Sequence, residues 1–421
     1  MKCLNCGQTI NENDKFCMSC GADLELQRVE RKNSITCPSC ASEVDEHDKF
    51  CGKCGYDLNS ENSTVHANSQ SSEKSSIAHD AKTLFGTTTQ SIGRLAGNEG
   101  SLDLNLKDMF SEVFKKHTKE ESDEIFIGGT KNTTPDLNEI SEEWGKPWLF
   151  SRVFLAFSAT FAMLWIMVAS FGNSLAIPGL IFIGALTVPL SCLFFFFESN
   201  AFKNISLFEV LKMFFVGGVF SLLTTSFLYG FVSLSDQYSI FGTLTIIDAF
   251  IIGVVEETGK AIIIIYFINV LNTNKILNGL LIGASIGAGF AVFESAGYIL
   301  NYSFDDTSNL IDMVFLRAWT NIGTHIVWSA IIGAVVIIAK ESGKFSFNNI
   351  SNKSFLFFYF VSVLLHTIWD ADLAFLGQGM IKVIILIAIG WLFVFILMKA
   401  GLNQINTLRK QTLSDFGGTN E

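Results

Sequence analysis

The sequence predicts an all-α polytopic membrane protein of about eight transmembrane helices, preceded by a small N-terminal tandem zinc-ribbon domain. Three observations carry that prediction. After about residue 148, apolar runs alternate with short polar breaks, each run roughly 20 residues long, enough for an α-helix to cross ~30 Å of hydrocarbon. Before that point the chain is rich in Ser, Thr, Asn and acidic residues, and eight of the nine cysteines fall there at a repeated spacing. The mean hydropathy of +0.39 thus averages two unlike parts, and most of the 40 Phe belong to the second.

The cysteines come first in the chain. Cys3, Cys6, Cys17 and Cys20 form C-x2-C-x10-C-x2-C, and Cys37, Cys40, Cys51 and Cys54 repeat it 34 residues later, with Asp-Lys-Phe-Cys shared at 14–17 and 48–51. Each C-x2-C turn places two thiolates on one tetrahedral ion, and Gly7, Gly21 and Gly55 follow three of the four turns. The rival reading, a disulfide framework, requires an oxidising compartment. The spacing favours about two structural zinc ions over residues 1–57, and the metal supplies the folding free energy that so small a core lacks. These residues resemble the short double zinc ribbons at the ends of many bacterial membrane proteins, which implies a structural module or a contact for a cytoplasmic protein partner. Basic residues here are balanced by Asp and Glu, so no nucleic-acid partner is expected. The ninth cysteine, Cys192, lies inside an apolar run and reads as a small buried hydrophobe.

Residues 58–147 read as a largely disordered linker, low in hydrophobicity and rich in Ser, Asn, Thr and Glu. Within it Leu104, Leu106, Met109, Phe110, Val113 and Phe114 form a helical stripe, a candidate amphipathic helix against the membrane or a partner. The net charge of −11 lies largely in this linker and in exposed loops and identifies no partner. No apolar h-region follows Met1, so the first spanning helix is expected to serve as its own insertion signal.

The membrane domain, 148–400, is expected to hold helices near 149–171, 175–197, 210–233, 241–270, 276–300, 315–339, 355–373 and 379–400, followed by a tail, 401–421. Lys146, Arg152, Lys203, Lys212, Lys275, Lys340, Lys344, Lys353, Lys399, Arg409 and Lys410 fall at alternate breaks. The breaks around Gly172, Asp236, Asp305 and Gly377 are nearly free of Lys and Arg, Lys382 being the main exception. The positive-inside rule then places both termini in the cytoplasm, where reduced thiolates belong.

Ionisable residues inside spanning helices cost about 2.5–3.5 kcal/mol each on insertion scales, so each is a functional candidate. The fourth helix carries Glu256, Glu257 and Lys260. Glu256 and Lys260, one turn apart, can pair, which would leave Glu257 unexplained. The fifth carries Glu294 one turn beyond Phe290, after a run of small residues. On the sixth, Arg317, Asn321 and His325 recur at four-residue steps and form one polar stripe. The seventh sets His366 and Asp370 on one face, a spacing that lets a carboxylate orient an imidazole. Together these groups have little reason to persist in lipid unless they converge on one hydrated cavity. Two chemistries suit them. In one a buried glutamate activates water and His, Asn or Arg donors stabilise an oxyanion; in the other His325, His366 and a glutamate hold zinc. No H-E-x-x-H helix supports the second.

The four motifs, E-E-x-x-K at Glu256, Glu257 and Lys260, F-x-x-x-E at Phe290 and Glu294, Arg317 and Ala318 with His325, and H-x-x-x-D at His366 and Asp370, stand in order over residues 250–372. This string resembles the PrsW family of intramembrane proteases, which is similar in turn to the CAAX prenyl endopeptidase and bacteriocin-immunity membrane proteases. The resemblance implies an endopeptidase that cuts a membrane protein, such as an anti-sigma factor, near the outer membrane face. It implies that Glu256 and Glu257 activate water, that Glu294 and His325 complete the site, and that His366 and Asp370 hold or polarise it. Ser295 stands where many members have Asn, and the ribbons and linker are additions to the family core. The competing functions are a non-catalytic scaffold or sensor on the same fold, and a transporter with a carboxylate proton relay.

Overall fold

The structure is a computed structural model. It describes residue 9 and residues 15–20, 34–36, 42–45, 72–98, 100–235, 244–305, 310–371 and 380–417. The chain divides into two units, 1–80 and 81–421. In the first, strands β1 (Ser34–Thr36) and β2 (Glu43–Asp45) pair antiparallel with Ile35 opposite Val44. They bracket the sequence positions of Cys37 and Cys40. Cys17 is buried and Cys20 exposed; Cys3, Cys6, Cys37, Cys40, Cys51 and Cys54 lie outside the described residues.

Helix α1 (Ser72–Leu95) is followed by two short helices, α2 (Leu106–Met109) and α3 (Lys119–Phe126). The stripe from Leu104 to Phe114 was expected to make one amphipathic helix. Instead α2 is a single turn capped by Asn105, and Phe110 turns inward against the rings of Phe150 and Phe195, leaving Phe114 exposed. The expectation of a largely disordered linker fails over residues 100–147 for the same reason. Met109 and Ile140 are buried, and Arg409 reaches back to the Glu142 carboxylate and to the carbonyls of Leu137, Asn138 and Ile140. Scattered apolar residues suffice when a folded surface is there to receive them.

The membrane part comprises α4 (Leu149–Ala169), α5 (Ile177–Ser199), α6 (Leu207–Tyr229), α7 (Ile246–Leu271), α8 (Ile276–Asp305), α9 (Leu310–Thr320), α10 (His325–Lys340), α11 (Lys353–Asp370) and α12 (Met380–Gly417). Among the described residues six segments are long and apolar enough to cross a membrane: α4, α5 with its preceding turn, α6, α8, α9 with α10, and α12. The α7 and α11 helices, with 26 and 18 residues, are long enough but carry ionisable residues, Asp248, Glu256, Glu257 and Lys260 in one and Lys353, His366 and Asp370 in the other. Their polarity is the candidate site, and counting them gives about eight spans.

Local chemistry fixes the helix ends. The Glu198 carboxylate, at the end of α5, accepts the N–H groups of Trp148, Leu149 and Phe150, which satisfies the free donors at the start of α4. Thr245 and Asp248 form a reciprocal capping box at the start of α7. Helices α8 and α10 cross at backbone contact. A Cβ on Gly283 would lie 2.0 Å from the Ser329 carbonyl oxygen, and one on Gly287 2.3 Å from that of His325. These small residues draw the two helices together and set the start of α10 against the middle of α8.

The expected sixth span is broken. The chain leaves α9 at Thr320, makes a 3-10 turn at Asn321–Gly323, and restarts at His325. Arg317, Asn321 and His325 therefore do not form one continuous helical stripe. The turn is held from α12, where the Trp391 indole N–H donates to the Ile322 carbonyl at 2.8 Å and Ile387 packs where any Cβ on Gly323 would go.

Candidate active site

Helix α7 places three ionisable groups in the bundle interior, with Glu257 and Lys260 fully buried and Glu256 8% exposed. Lys260 does not choose the partner expected from the one-turn spacing. Its Nζ lies 2.6 Å from Glu257 Oε1 and 4.0 Å from Glu256 Oε2. Lys260 also donates to His325 Nδ1 at 2.7 Å, so its ammonium bridges Glu257 and the imidazole. The aromatic face of Phe290, 4.5 Å from Nζ, covers the ammonium.

An ammonium can only donate, so its bond to Nδ1 leaves the His325 proton on Nε2. That nitrogen faces Glu294 Oε2 at 3.1 Å, and Arg317 Nη2 donates to the same oxygen at 2.7 Å. Arg317 in turn lies over the Tyr298 ring at 4.4 Å. His366, from α11, has a carboxylate at each nitrogen: Glu257 Oε1 is 2.9 Å from Nδ1, and Asp370 Oδ2 is 3.3 Å from Nε2. Glu256 Oε2 is 3.8 Å from the same Nε2. Asn321 sits one step outside this network, donating to Ser295 Oγ at 3.1 Å.

A cavity of about 320 Å³ opens onto the cluster. Glu256, Glu294, Arg317, His325, His366 and Asp370 line it; Glu257 and Lys260 do not. The two adjacent glutamates, indistinguishable in sequence, thus occupy different places. Glu257 is a buried counter-charge tied to Lys260 and His366. Glu256 faces the cavity, with Oε2 free of any hydrogen-bond partner. Glu256, His325 and His366 also bring one donor atom each to within 4.8 Å of one another, a set able to hold a metal ion.

Two residues of the site were not foreseen. Tyr229, the last residue of α6, donates its hydroxyl to Glu256 Oε1 at 3.1 Å. Trp328, one turn beyond His325, stacks on the His366 ring at 4.5 Å and meets the His325 ring edge-on at 5.1 Å. An aromatic one turn from an intramembrane histidine was the available signal for Trp328. Tyr229 carried none, because a Tyr at the end of a span reads first as an interfacial anchor.

Residues 207–398 match the family described as PrsW family intramembrane metalloprotease, and residues 3–55 match the double zinc ribbon. No curated relative matches the chain, and no solved structure does.

Proposed function

Residues 207–398 being a PrsW-family intramembrane protease domain, we propose that the protein hydrolyses a peptide bond of a membrane-protein substrate with Glu256 as the base. The observation that carries this reading is the placement of Glu256, alone of the adjacent pair, on the cavity wall with His325 and His366. Glu256 takes a proton from water as the water oxygen attacks the scissile carbonyl carbon. The N–H groups of Arg317 that Glu294 leaves free, on the cavity wall, meet the charge that develops on the carbonyl oxygen, and the His325–Glu294 bond holds Arg317 in place. The C–N bond then breaks, and Glu256 returns the proton to the leaving nitrogen. Tyr229, Glu257 and Asp370 hold the base and His366 in place.

A second reading rests on the donor set Glu256, His325 and His366 and on the family description. One carboxylate and two imidazoles are the donor types of a three-ligand hydrolytic zinc site, so these residues fit a divalent ion. Bound there, it would supply Lewis-acid polarisation of the scissile carbonyl. The readings differ at His325, whose Nε2–H is bonded to Glu294 in the first and whose Nε2 offers a lone pair in the second. Zinc per full-length chain separates them. The base reading expects about two ions, both in the ribbons, and no change in Glu256→Gln. One further ion, lost in Glu256→Gln, would replace it with the metal reading.

The side of the membrane follows from charge. Tyr229, Leu244, Tyr298 and Asp370 line the cavity near the helix ends that meet Lys/Arg-poor connections, so the positive-inside rule opens it outward and keeps both termini in the cytoplasm. The ribbons then face the cytoplasm, where a protein partner is their proposed contact. An anti-sigma factor is the substrate class the family resemblance suggests.

A further inference from the structure

Trp328, one turn beyond His325 on α10, is only 1% exposed, and it lines the cavity that Glu256 faces. Its indole N–H makes no hydrogen bond among the described residues, yet the nitrogen is not sealed from solvent as Arg317 Nε is. The small area that Trp328 exposes therefore includes Nε1, which opens into the cavity. A tryptophan nitrogen can only donate, so the wall carries a nearly buried donor whose acceptor has to come from what enters.

Neighbouring polar groups on that wall are already engaged. Both nitrogens of His325 and of His366 face a partner, the Tyr229 hydroxyl donates to Glu256, and the Asn321 amide donates to Ser295. The indole is also held on several sides. His366 stacks on it at 4.5 Å, His325 meets it edge-on at 5.1 Å, and Trp369 lies across it at 6.2 Å. Ser362 of α11 donates to the Trp328 carbonyl at 3.2 Å, which fixes the backbone there against α11. The donor is thus aimed before any substrate binds, and it needs no reorientation during the reaction.

We propose that Trp328 is a further catalytic residue, whose indole N–H donates to the scissile carbonyl oxygen as charge develops there. The proposal rests on the reading of Glu256 as the base. The indole N–H and the free N–H groups of Arg317 then share the oxyanion, one a neutral donor and the other a charged one. The indole keeps its proton throughout. The proton taken from water passes to Glu256 and on to the leaving nitrogen, so Trp328 adds a hydrogen bond and no transfer step.

The test removes the N–H and keeps the ring. In Trp328→benzothienylalanine a sulfur replaces the indole N–H group, so the stacking on His366 remains. The readout is the initial rate at which N-termini seen only with the wild-type chain appear in cell membranes after induction, with Tm in detergent as the check on folding. A fall of about 100-fold at unchanged Tm is expected, the usual cost of losing one oxyanion donor. Trp165→benzothienylalanine, at an exposed position of α4, should keep the wild-type rate. A wild-type rate for Trp328→benzothienylalanine, or a loss matched by a fall in Tm, would overturn the proposal, while an inactive Glu256→Gln would leave the base reading standing. Wild-type N-termini persisting in Glu256→Gln would instead remove that reading, and the proposal with it.

Discussion

Gly289 offers the sharpest structural test, because it stands where α6 and α8 touch through their backbones. A Cβ there would lie 1.9 Å from the Phe214 carbonyl oxygen, about 1.5 Å short of ordinary contact, and the clashing atom is backbone that cannot rotate away. Phe214 lies in a π-helical turn, Met213–Gly217, so the contact is part of a local widening of α6. Gly289→Ala must therefore push the helices apart, at an overpacking cost of about 1–3 kcal/mol, a fall in Tm of about 2–12 °C for a domain of this size. Glu294 lies little more than one turn further on, and a displacement of about 1 Å there would lower proteolysis by roughly 100-fold. Gly297→Ala is the control: it lies on the same helix with nothing within 4 Å of the added carbon, and it should be neutral or stabilising. Thermal unfolding in detergent and fragment release from membranes measure the two effects. Equal Tm and activity for Gly289→Ala and Gly297→Ala would refute the proposed packing.

Lys260→Met should destabilise the protein by about 3–5 kcal/mol, because it leaves Glu257 fully buried beside His366 alone; thermal unfolding at fixed detergent measures it, and an unchanged Tm contradicts the buried pair. Cys17→Ser should halve the zinc held by the ribbons in elemental analysis, from about two ions to about one, since each ribbon uses four thiolates; an unchanged count contradicts that ligand set. A reporter active only outside the cytoplasm should be active when fused between α8 and α9 at residue 309 and silent at residue 349 between α10 and α11; the reverse pattern overturns the orientation.

Much of the site was legible because lipid penalises ionisable groups, so Glu256, Glu257, Glu294, His325 and His366 stood out from the apolar runs around them. Their grouping was legible; their division of labour was not. Glu256 and Glu257 are adjacent, and the ammonium that pairs with Glu257 also bridges to His325, a residue 65 positions beyond Lys260. The break between α9 and α10 left only a weak local mark, Asn321 and Gly323 without a Pro, and the turn is secured from α12 by Trp391 and Ile387. The ordered stretch before α4 was hidden similarly. Its apolar residues are too few for a core of their own, and they pack because Phe195 and Arg409, distant in sequence, receive them.

The most direct test of the account compares new protein N-termini in membranes of cells producing the wild-type chain, Glu256→Gln or no protein. Glu256→Gln preserves side-chain size and keeps an acceptor for Tyr229, so the variant should insert and unfold as the wild type does. The account predicts that the N-termini present only with the wild type vanish in Glu256→Gln at equal protein level. Their persistence in that variant at wild-type abundance would contradict the assignment of Glu256 as the base.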